Sequence, residues 1–298
     1  MRRIDRKQVD EMQLDLFAHS RDVVLRNRAI EAARGYDKKQ LESAIELLAA
    51  ECPADPLLAA LRTLLERICV SLPPGLSRAA ALQMVRLTEQ TSSAAERVFG
   101  NMAERWLAQL WDEIATAIGD LSFDPSSELI HAAPLFLRAG SWVKANESIK
   151  AIPAWRHQPV PLAWKVESEF HQSGLISAWP YFAELCWMAP SGAASLAARL
   201  EGDELGDLLR HFQMQYEGDG DELDFAWLPA WSVIAEPRWA ASLRLAQPGK
   251  SSPAERFARQ LLELLTLERH GRHTSLVAGR RILRDINPAL FALYMRTR

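Results

Sequence analysis

Three cysteines in 298 residues leave no even set for a disulfide framework, and Cys52, Cys69 and Cys186 lie too far apart to form a C-x-x-C pair. Cys69, beside Ile68 and Val70, and Cys186, between Leu185 and Trp187, read instead as small buried hydrophobes. Positive charge is not in excess either. The balance of 35 basic against 38 acidic residues gives a formal net charge of -3, which excludes a generally basic nucleic-acid binder. No direct sequence-specific contact with nucleic acid is therefore expected. Long apolar runs are missing too: none approaches the roughly 18 residues of a membrane span, and Met1-Arg2-Arg3-Ile4-Asp5 leads into further charge in place of a secretory apolar core. The expectation is a cytoplasmic protein without a membrane partner.

Catalytic signatures are equally sparse. The histidines are dispersed, and His270 and His273 flank a glycine without forming an H-E-x-x-H pair. There is no G-x-G-x-x-G or G-x-x-x-x-G-K-[ST] phosphate loop and no G-x-S-x-G elbow. The acidic loop Glu217-Gly218-Asp219-Gly220-Asp221-Glu222 lacks the ordered ligand spacing of an EF-hand and reads as hydrated. No cofactor, no metal and no catalytic residue is expected. The one enzymatic alternative is an all-α enzyme whose carboxylates carry no recognisable spacing.

What the chain does have is helical periodicity with helix punctuation. Ser20 opens a segment whose apolar residues Val23, Val24, Ile30 and Ala33 lead to Gly35, a natural stop. Asp37 can cap the next, with Leu41, Ala44, Ile45, Leu47 and Leu48 on one face before Cys52-Pro53. Asp55-Pro56 reads as N-cap plus first helical residue. Further helices are predicted from Ser77 to Gln90, Ser93 to Ile118 and Glu128 to Ala139. No period-two alternation of β-branched residues appears, so the predicted fold is all-α, made of antiparallel helix pairs.

Gly140 and Gly174 stand 34 residues apart, each after an amphipathic segment, and that is the tetratricopeptide period. With Ala145 five positions after the first glycine, and Trp179 (preceded by the small Ala178) at the matching place after the second, these units resemble degenerate tetratricopeptide repeats. The segment from Gly35 to Leu57, with its Pro53-Ala54-Asp55-Pro56 turn, looks like a further relative. The resemblance implies an α-solenoid, a tetratricopeptide-like superhelix with a concave face for a peptide or protein. All ten tryptophans fall between Trp106 and Trp239. Either Trp142, Trp164 and Trp179 line an aromatic groove, or the rings fill space between irregular repeats.

The turn-rich run Gly119 to Ser127 suggests a boundary, giving a tail over 1–19, an N-terminal helical unit over 20–121 and a tryptophan-rich unit over 122–298. Charge is uneven in the latter. Residues 201–224 are strongly acidic, whereas Arg272, Arg280, Arg281 and Arg284 make a candidate basic patch or a solvated helix face.

Gln13-Leu14-Asp15-Leu16-Phe17 resembles the short motif by which bacterial proteins dock on the DNA sliding clamp. That resemblance implies Gln13 as the amide anchor and Leu16 with Phe17 as the plug of an apolar pocket. The other reading is an apolar clip folded back on the first helices. Together these features predict a non-enzymatic helical-repeat adaptor for protein–protein interaction, tethered to the clamp or, alternatively, a general scaffold with no clamp role.

Overall fold

The computed structural model describes residues 21–119, 121–249, 251–270 and 273–297, and among these every regular element is helical. Gln13 to Phe17 and Arg272 lie outside the described residues. Two compact units divide between Ser141 and Trp142.

In the first unit, a helix over residues 21–34 (α1) leads to α2 (Lys38–Glu51), α3 (Leu58–Ile68), α4 (Arg78–Phe99), α5 (Ala103–Ile118) and α6 (Ala132–Arg138). Each of α2 to α5 packs against the next in sequence, and α5 packs against α6. Asp37 caps α2 by accepting from the Gln40 amide, and Leu41, Ala44, Ile45 and Leu48 form its buried stripe. The stop after α1 falls one residue beyond Gly35. Tyr36 takes the left-handed conformation (φ 53°), while the Asp37 and Tyr36 amides bond to the Ala32 and Ala33 carbonyls in a Schellman closure. A left-handed bulky residue costs about 1–2 kcal/mol. Compensation comes from α5, where the Tyr36 ring stacks on Trp106 (centroids 5.1 Å apart) and its hydroxyl donates to the Trp106 carbonyl.

Two predicted boundaries move for identifiable reasons. The helix expected to start at Ser93 is instead the continuation of α4. Thr91 and Ser92 turn their hydroxyls back on the Leu87 and Thr88 carbonyls, so they sit inside the helix without starting a new one. The true break is at Gly100 (φ 56°), followed by the 3-10 turn Gly100–Met102. The division after Ser141 differs from the boundary expected at Gly119 to Ser127, and within that segment the Ser122 carbonyl accepts from Arg78 of α4, which also pairs with Asp124 at 3.4 Å. Cys69, expected to be buried, is exposed because it is the residue that ends α3.

His131 caps α6 through Nδ1, which accepts from the Ala133 amide at 3.1 Å. Burial, aided by the nearby Arg78 charge, lowers its pKa to about 4. The folded state thus prefers the neutral ring, and this stability is present above the ordinary histidine pKa of about 6.5 and lost as pH falls towards 4. Urea unfolding should show the His131→Asn variant, which keeps a capping oxygen, losing about 2 kcal/mol less than the wild type between pH 7 and pH 5. Equal losses would remove the assignment.

The second unit begins with α7 (Trp142–Lys150), α8 (Pro159–Ser173), α9 (Leu175–Met188) and α10 (Pro190–Ala197). It continues through α11 (Asp203–Gln215), α12 (Leu228–Ala235), α13 (Trp239–Leu243), α14 (Pro253–His270), α15 (His273–Ile286) and α16 (Pro288–Arg296). Neighbours in sequence pack together from α7 to α10 and from α14 to α16, and α9 also contacts α12 and α13. Gly174 (φ 82°) forms the turn between α8 and α9. The core gathers Trp179, Phe182, Trp231, Trp239, Phe257 and Tyr294, with the Trp179 and Trp239 rings 4.6 Å apart. Pro180 lies inside α9 and has no N–H for the Ile176 carbonyl, and the Ser242 hydroxyl from α13 donates to that oxygen at 2.7 Å.

Candidate functional site

A cavity of about 240 Å³ opens in the second unit among the 3-10 turn Trp155–His157, the end of α9, the loop between α13 and α14, and the first turn of α14. Its walls are Arg156, His157, Glu184, Trp187, Met188, Gln247, Pro248, Gly249, Ser252 and Glu255. Ala154, held left-handed (φ 52°), precedes the turn that carries Arg156. Arg156 then reaches Glu184 of α9 with two parallel bonds, Nε to Oε2 at 2.7 Å and Nη2 to Oε1 at 2.5 Å. This fork geometry is the strong form of an arginine–carboxylate pair. The hydrogen bond to Glu184 raises the Arg156 pKa against the opposing effect of burial.

Glu184 also holds the loop. Its Oε1 accepts from the Gln247 amide at 2.6 Å. Glu255 does the same from the other side, taking the Gly249 and Ser251 amides at 2.8 and 3.0 Å, together with Arg259 Nε at 2.9 Å. Ser252 accepts from the Glu255 amide at 3.2 Å, so Ser252-Pro253-Ala254-Glu255 opens α14 as a capping box whose glutamate reaches back past the cap. Both glutamates are almost wholly buried, at 6% and 2% exposure, yet each is matched by an arginine and by main-chain donors. The Tyr181 ring has two cations close to it, Arg156 Cζ and Lys165 Nζ, each 4.9 Å from its centroid. Lys165 is in turn bonded to Asn146 and Glu169 at 2.8 and 2.5 Å. Burial is the main cause of the raised Tyr181 pKa.

Chemically, this arrangement offers apolar walls above a floor of mutually cancelled charge. Neither carboxylate is a free acid or base, because both are committed to charge-assisted bonds. Among the described residues no three His, Cys, Asp or Glu side chains gather where they could hold a metal ion, and no helix is long and apolar enough to cross a membrane.

None of the described residues singled out in the sequence lines this cavity. Trp179 is withdrawn completely into the core, at 0% exposure, so it cannot line a groove. Trp142 and Trp164 are half-buried on α7 and α8, and Trp142 stacks on the exposed His171 with centroids 4.3 Å apart. Of the arginines, Arg280 is turned to Glu268 at 3.1 Å, and Arg284 is exposed beside Asp285 at 3.5 Å. Arg281 is exposed on the same helix. Sequence reasoning missed Arg156, Glu184 and Glu255. The capping box was readable at Glu255, whereas nothing local links Arg156 to a glutamate 28 residues away. No protein-family model, no curated protein and no solved structure matches the chain.

Proposed function

We propose that the chain is a non-enzymatic adaptor whose antiparallel helix pairs form tetratricopeptide-like stacks, with Gln13 to Phe17 tethering it to the bacterial DNA sliding clamp. The observation that carries the adaptor reading is the condition of Glu184 and Glu255. They are spent on pinning the loop that borders an apolar recess, which suits a surface that holds a partner better than one that moves protons. Consecutive helices packed against each other favour the repeat description, since each pair buries the face that its neighbour exposes.

The tether rests on the sequence of the pentapeptide. Burying Leu16 and Phe17 contributes roughly 1.5 to 3 kcal/mol each, and ordering the segment takes part of that back. Immobilised purified clamp should retain the full-length chain, and the Leu16→Ala/Phe17→Ala variant should bind at least about tenfold more weakly. Equal retention of the two forms, or of neither, removes the tether. It leaves the general scaffold, in which the pentapeptide packs on the chain's own helices.

A further inference from the structure

We propose that the recess bordered by Trp187, Met188 and Pro248 receives a single large apolar side chain, aromatic or leucine-like, presented by a peptide segment of the protein partner. The inference rests on the adaptor reading for the source of that side chain. Size is the first argument. At about 240 Å³ the cavity falls below the roughly 300–1,000 Å³ of small-molecule and cofactor sites, and it suits one side chain.

Charge is the second argument. Arg156 neutralises Glu184 and Arg259 neutralises Glu255, so a charged occupant would have to break a part-buried pair, built on a buried glutamate, to gain a partner of its own. An uncharged occupant complements the floor as it stands. Met188, with its flexible thioether, can follow the outline of different apolar groups.

The third argument separates a peptide from a bare hydrophobe. Among the described residues Glu184 Oε2 accepts one hydrogen bond, from Arg156, and Glu255 Oε2 one, from the Ser251 amide, so each oxygen has the capacity for a second. These carboxylates already bind the main-chain N–H groups of Gln247, Gly249 and Ser251. The N–H of an incoming peptide, next to the inserted side chain, is the same donor.

The test titrates N-acetyl-phenylalaninamide, N-acetyl-leucinamide and N-acetyl-lysinamide into the ¹⁵N-labelled full-length protein, following the Trp187 indole N–H identified with Trp187→Phe. The expected result is a saturable shift with the phenylalanine and leucine amides and none with the lysine amide. Affinity should fall at least tenfold in Met188→Glu and, at the exposed loop position, in Pro248→Asp. No saturable shift with the phenylalanine amide, an undiminished shift in folded Pro248→Asp, or saturation by the lysine amide alone would each overturn the proposal. Clamp retention is read separately. Retention without the shift overturns this inference and leaves the adaptor standing, while the shift without retention supports it and removes only the tether.

Discussion

Trp179→Ala should cost the second unit about 3–5 kcal/mol, the range for deleting a buried tryptophan or phenylalanine. The ring is fully buried, packs 4.6 Å from Trp239 and also touches Phe182, so its removal opens a void between α9 and α13 that the surrounding helices cannot close. The indole N–H finds no acceptor among the described residues, and Trp179→Phe should therefore lose volume without losing a hydrogen bond and cost less than alanine. Trp142→Ala removes a half-buried ring stacked on an exposed histidine and should cost less than half as much. Urea unfolding followed by far-UV circular dichroism measures all three. A loss below about 1 kcal/mol for Trp179→Ala would contradict the packing described here.

The second large effect is expected at Glu184. Removing it by Glu184→Ala leaves the Arg156 guanidinium without its fork partner and frees the Gln247 amide, a change of about 3 kcal/mol, the lower end for broken buried ion pairs because the guanidinium is part-exposed. The matching double variant, Arg156→Met/Glu184→Leu, removes both charges and should recover most of that loss. A double variant as unstable as Glu184→Ala would mean that the loop contact, and not the stranded charge, dominates. Reading both stabilities in one urea series gives the coupling directly.

These two positions also mark what could be read from the chain in advance. The helical class was plain because stripes such as Leu41, Ala44, Ile45 and Leu48 repeat at 3.6 residues, and that period is a local property. Caps were legible where a short polar side chain bonds its own neighbourhood, as Asp37 does. Thr91 and Ser92 defeated the same rule, because a hydroxyl can bond backward along a helix as easily as forward at its start. Tyr36 defeated the glycine rule, because a partner 70 residues away stabilises its left-handed backbone. Trp179 could not be assigned to groove or core, since both uses place tryptophan at the same helical spacing. The cavity was invisible for a related reason: its floor joins residues 28 and 63 positions apart, and only packing brings them together.

Pro180 carries a consequence beyond its own helix. A proline within a helix is ordinarily counted as a lost bond, yet here the orphaned Ile176 oxygen becomes the mooring for Ser242, on a helix of only five residues that could hardly persist by itself. Trp239, the partner of Trp179, stands at the start of that same short helix. A defect in one rod is thus the means by which a small neighbouring piece is held at the right height for its ring to reach the centre.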